Sequence, residues 1–283
     1  MTQRNLSAEN AKQQAKTATR QASPWIEPLG RLGFAAQGVV YAIVGVLAVQ
    51  AAIGAGGETT DTRGALQRIQ DAPFGKVLLG IVAIGLVGYA LWRFVQAFLD
   101  TDNKGSDAKG RVTRLGYAIV GVVYLGLALS AVQLMRGAGG QSQGSEQDWT
   151  ARLMAQPFGR WLVGLVGLGV IGLGLYQLYQ AYSAKFREHL KLAEMSHTEA
   201  EWATRSGRMG FAARGIVFCI IGALLIAAAL HSNASEARGL AGALQTLASQ
   251  PYGPWLLGAV AIGLIAYAIF CLVEARYRRM LLS

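Results

Sequence analysis

Several polar residues stand inside long apolar stretches, and their positions recur. Gln96, Gln180 and Glu274 occupy one matching position in three related segments. Gln37, Val120 and Arg214 occupy another. Ionisable side chains at membrane depth are costly and mark ion pairs or solute paths. Only the third segment carries a charge in both sets, so Arg214 is expected to pair with Glu274. Separate snorkelling of the two to the headgroups is the competing reading. The amides of Gln37, Gln96 and Gln180 suit the hydrogen-bonding wall of a path for ions or small solutes. Arg93 and Gln177 share one further position, with Cys271 in the third segment.

No other pattern amounts to a reactive site. His189, His197 and His231 share no ligand spacing with carboxylates, and Glu188 and Glu194 read as a solvated face. Cys219 and Cys271 lie in apolar runs, outside any CxxC motif, and read as small packing groups. No nucleophile elbow, phosphate-binding loop, HExxH or dinucleotide fingerprint is present. The expectation is therefore no catalytic residues, no cofactor, no metal and no enzyme. Tyr41, Tyr124 and Phe218 match in position, as do Trp92, Tyr176 and Phe270; these read as packing or interface aromatics.

The elements that must hold these residues follow from a repeat. RLGFAAQGVVY at Arg31 recurs as RLGYAIVGVVY at Arg114 and RMGFAARGIVF at Arg208. Each opening leads into an apolar run, a polar loop, a Pro-aromatic-Gly turn at Pro73, Pro157 or Pro251, and a second apolar run. Repeats of this kind fix an architecture. The 283 residues are 53% hydrophobic and only 15% charged, against about 25% in soluble domains. Six runs of membrane-crossing length result: 32–53, 77–99, 115–135, 161–182, 209–230 and 255–275. In hydrocarbon they must be helices.

The fold class is thus all-α integral membrane. Six transmembrane helices form three tandem, parallel two-helix repeats, for which a pseudo-threefold bundle is the simplest closed arrangement. Residues 1–30 form a polar tail with a short helix over 7–21, ended by Pro24, and Trp25 at the membrane surface. Repeats 31–100, 114–184 and 208–278 are joined by linkers 101–113 and 185–207, and 279–283 form the C-terminal tail. In the second linker, 185–195 is expected to extend the preceding helix. Ser196 and Glu199 make a capping-box start for a further short helix.

Lys and Arg divide unevenly between the loops. Seventeen lie in the tails, the linkers and the repeat ends that adjoin them, and seven in the loops inside the repeats. This bias places both termini in the cytoplasm. It accounts for the net charge of +10 without nucleic acid. The lipid bilayer is one partner, anionic headgroups at the basic loops a second, and other membrane proteins a third.

Small residues recur in the second spans: Gly80, Ala83, Gly85 and Gly88; Gly164, Gly167, Gly169 and Gly172; Gly258, Ala261, Gly263 and Ala266. They read as helix-contact faces. In the first spans Gly33, Gly116 and Gly210 match, as do Gly38, Gly121 and Gly215. With the RLG(F/Y)-x4-G opening and the P(F/Y)G turn, the chain over about 31–278 resembles the bacterial membrane-protein family called domain of unknown function 1206. The resemblance implies a six-span protein of the bacterial plasma (inner) membrane and supplies no activity. Function then divides between a small channel or transporter-like protein and a structural or accessory protein that packs with membrane partners or lipid.

Overall fold

The structure is a computed structural model describing residues 2–100, 105, 107–137 and 146–279. Side chains are described from Glu27 onward, except Lys109 and Glu146. The Trp25 side chain and Lys104 lie outside the described residues. Lipid offers a backbone amide no partner, so each apolar run closes its hydrogen bonds as a helix. Six long helices result: α1 (Thr2–Ala52), α3 (Gly75–Leu99), α4 (Ala108–Met135), α6 (Gly159–Ser183), α7 (His197–His231) and α9 (Gly253–Tyr277). All six are long and apolar enough to cross a membrane. Short helices α2 (Thr62–Asp71), α5 (Glu146–Met154) and α8 (Leu240–Ala248) precede the second span of each repeat. They define one face of the bundle; Arg31, Arg114 and Arg208 define the other.

Three local expectations are corrected. Helix α1 runs through Pro24 instead of ending there. Proline removes one helical hydrogen bond without forbidding the helix, and the packed stretch downstream, with Arg31 paired to Glu27 at 2.7 Å, is continuous with it. Residues 185–195 do not extend α6. Ala184 turns left-handed, and two 3-10 turns follow at Lys185–His189 and Leu192–Glu194. The turns bury Phe186 and Leu190 beside Ala203 and Phe270, burial that a straight helix into water would forfeit. The Ser196–Glu199 capping box forms, but its helix runs unbroken into the third repeat as α7.

The spans pack in the order α4, α3, α1, α9, α7, α6. Every first span therefore lies against the second span of the preceding repeat, with α1 against α9 closing the cycle. Glycine makes these contacts close. A Cβ on Gly215 would meet the Gly174 carbonyl at 2.9 Å, and one on Gly38 the Ala268 carbonyl at 3.0 Å. The contact inside a repeat uses another glycine. A Cβ on Gly33 would lie 2.6 Å from the Tyr89 backbone, and one on Gly210 2.6 Å from Tyr267. The second-span glycines divide likewise. Gly80, Gly164 and Gly258 approach the neighbouring repeat, whereas Gly85, Gly88 and Gly263 face their own first span.

The second repeat departs from this plan. Helices α4 and α6 do not pack along one another. Around Gly116, Gly169 and Gly172 nothing lies within 4 Å of a built Cβ. The pseudo-threefold ring is therefore open at one seam, between the two spans of the middle repeat.

The recurring opening arginine has a structural role. Arg31 donates to the carbonyls of Ala275 (3.0 Å) and Arg276 at the end of α9. Arg114 donates to those of Ala97 (2.6 Å) and Phe98 (2.9 Å) at the end of α3. Arg208 lines a hollow with Ser183 and Ala184 at the end of α6. Terminal helix carbonyls lack intrahelical partners, and a cation there also opposes the helix dipole.

In the Pro-aromatic-Gly turns the aromatic residue, not the glycine, takes the left-handed conformation: φ is 61° at Phe74, 62° at Phe158 and 63° at Tyr252. The glycine is needed for room. A Cβ on Gly75, Gly159 or Gly253 would lie 2.1, 1.9 or 2.0 Å from a carbonyl oxygen of the short helix before it. Gly253→Ala is expected to lower stability by about 1–3 kcal/mol, the usual cost of overpacking. A thermal melt in detergent reads this out, and an unchanged melting temperature would contradict the packing role.

Candidate functional site

The half of the bundle toward the short helices is aliphatic. Val44, Ala48, Leu79, Leu86, Leu257 and Leu264 are buried there in one aliphatic core. The half toward the arginine face is different. A rise of 1.5 Å per residue puts Arg214, six residues past Arg208, about 9 Å along the helix from that face. Its guanidinium carbon lies 4.3 Å from the ring centre of Tyr267 and 5.3 Å from those of Tyr41 and Phe218. Among the described residues Arg214 has no carboxylate partner, and its buried Nε has no hydrogen bond. Cation–π contact holds the group without neutralising it.

Arg93 enters the same region from α3. It lies 4.8 Å from the Tyr89 ring and 5.4 Å from that of Tyr117, and it donates to Gln96 Oε1 at 3.0 Å and to the Tyr89 hydroxyl. Its Nε is also buried without a partner. Gln37 donates to the Tyr124 hydroxyl while its own oxygen stays unpaired. Tyrosine rings join the parts, with Tyr89 and Tyr124 centred 4.4 Å apart and Tyr41 and Tyr267 4.9 Å apart. The region is a nest of tyrosines around two guanidiniums, presenting donors and an excess of positive charge.

The expected Arg214–Glu274 pair does not form. Glu274 is engaged by Arg278, one turn along, and both side chains are only 8% exposed. The i,i+4 spacing makes Arg278 the local partner, while Arg214 points among the rings. Gln37 and Gln96 join the nest. Gln180 does not show a bond to it; its amide donates to Tyr176 on the same helix, at 2.8 Å. Tyr89 and Tyr267 are the residues that sequence reasoning passed over. Their match at corresponding points of the second spans was visible, but Leu173 breaks it in the middle repeat.

A second cationic feature lies on the arginine face. Ser183, Arg187, Glu188, Arg208 and Arg279 line a hollow of about 490 Å³. Nearby, a hydrogen bond to Tyr179 raises the pKa of Lys185, which keeps that ammonium charged.

Three tandem helical repeats spanning the bilayer make this a polytopic α-helical membrane protein built by internal repetition. A family model described as Domain of Unknown Function (DUF1206) matches residues 32–100, 115–184 and 209–278. The chain belongs to that family. It is 37% identical over 261 residues to a Bacillus subtilis (strain 168) protein named Uncharacterized protein YxxB, covering 92% of this chain and 94% of that one. No solved structure matches it.

If Arg278 is the working partner of Glu274, a double-mutant cycle separates it from Arg214. Glu274→Gln should cost about 3–5 kcal/mol, the usual penalty for stranding one member of a buried pair. Adding Arg278→Met should recover most of that loss, while Arg214→Met combined with Glu274→Gln should be additive. Coupling to Arg214 instead, in melting curves of the purified protein, would restore the original pairing.

Proposed function

We propose that the protein is transporter-like, lies in a bacterial plasma membrane, and takes a small anion into the tyrosine-lined nest from the arginine face; the excess of Lys and Arg on that face supports reading it as the cytoplasmic side. One observation carries this reading. Arg214 is held inside a span by three aromatic rings, and among the described residues no carboxylate pairs with it. A desolvated guanidinium without an ionic partner is expensive. Its planar fork suits oxyanions, which accept two parallel hydrogen bonds. Arg93, Gln37 and Tyr124 add donors around the same space. The aliphatic half beyond argues against a permanently open channel and for a path that opens by movement of spans. The protein has no catalytic role in this reading. The hollow lined by Arg187, Arg208 and Arg279 would receive anionic lipid headgroups, whose phosphates match its charge.

The accessory alternative rests on a different observation, the exposed faces of α4 and α6, which suit packing against other proteins in the membrane. Flux in proteoliposomes distinguishes the two. A panel of halides, nitrate, phosphate and small carboxylates should include at least one that accumulates, with Arg214→Gln reducing uptake at least tenfold while the protein remains folded. No uptake of any member, or full uptake by the variant, would remove this reading.

A further inference from the structure

We propose that two copies of this chain associate through the middle repeat. Helix α4 of one copy would take the place on α6 of the other that α1 takes on α3 and that α7 takes on α9. The two outer repeats show what such faces bind. Gly33 and Gly210 sit against the backbones of Tyr89 and Tyr267, and Gly85 and Gly263 sit against Ala36 and Ala213. The corresponding glycines of the middle repeat are Gly116 and Gly169, and each faces open space, as does Gly172. The complementary surfaces are present on one chain but do not meet. Around them Leu115, Ile119 and Leu173 are 61%, 56% and 52% exposed.

Exposed leucine alone would signify only lipid contact. Glycine is the informative residue: it weakens a helix and offers lipid almost no side chain, but it lets another backbone approach closely. Two substitutions set this seam apart from its sisters. Ile119 stands where Ala36 and Ala213 meet a glycine, and Leu173 stands where the outer repeats carry Tyr89 and Tyr267. Within one chain α4 is held by α3 and α6 by α7, at opposite ends of the packed row. A second copy meets no such restriction. Both copies enter the bilayer in the same sense, so a twofold axis along the membrane normal sets α4 of one antiparallel to α6 of the other, as in a repeat. The interface is isologous and closes on itself. It contains two helix-length seams, each continuous with the packed ring of its own copy. Two seams of that length approach the scale of a standard interface, about 1,600 Å².

Cross-linking tests the arrangement in the full chain, with Cys219 and Cys271 both replaced by alanine. Differently tagged chains carrying Gly116→Cys or Gly169→Cys are co-expressed and oxidised in native membranes. The expected product is a disulfide between the two tags, and the double variant should give linked dimers. The unmodified protein in nanodiscs should show twice the 30.0 kDa chain mass, and Gly116→Leu with Gly169→Leu should weaken the dimer at least tenfold. A disulfide confined within one chain would show instead that the seam closes on itself. A monomeric mass without cross-linking would assign the faces to lipid. Either result overturns the proposal, and the mass of the unmodified protein decides it even if the cysteine variants fail to fold.

Discussion

Close approach of one helix backbone to another is the contact on which the bundle depends. Hydrocarbon solvates apolar side chains as well as a neighbouring helix does, so burial between spans gains little; tight packing must supply the attraction. Between α6 and α7 glycines face each other twice, Gly174 with Gly215 and Gly167 with Gly222. In all four cases a Cβ would lie under 3 Å from the opposing carbonyl. These contacts also aim the site. Gly215 is fixed against α6, and Arg214, one residue earlier and about 100° around the helix, is turned toward Tyr41 and Tyr267 on α1 and α9.

Two different halves follow from that geometry. Toward the short helices the spans meet chiefly through valine, leucine and alanine. Toward the arginine face they meet through rings and guanidiniums. Tyrosine suits this boundary because its ring packs like an apolar group while its hydroxyl serves an amide or a cation. Glu274 and Arg278 neutralise each other near the surface, so the excess charge lies deeper, at Arg93 and Arg214.

The three copies, the six spans and the Ser196 capping box were legible because each rests on local pattern: period, length or a fixed offset. Partner choice was not. Arg214 and Glu274 share a depth and have opposite signs, yet depth says nothing about which way a helix is rotated, and Arg278 was closer along the chain. The recurring glycines mark helix contacts but not which neighbour each one serves: Gly80 and Gly85 meet different spans, 140° apart around the helix at 100° per residue. The split middle repeat was equally hidden. Gly116, Gly121, Gly164 and Gly169 match glycines of the other two, and at the open seam Ile119 and Leu173 differ. In the Pro-aromatic-Gly turns the residue types were evident, but the division of labour was not, since a crowded carbonyl belongs to the preceding helix.

The contact between α1 and α9 also bears on how the protein is made. Arg31 reaches the carbonyl of Ala275 across 244 positions of sequence. During synthesis the first span leaves the translocon with one of its two lasting neighbours still untranslated. The face carrying Gly38 and Gly45 has its partner only once the sixth span is made, so the packed ring is completed from the carboxyl-terminal side.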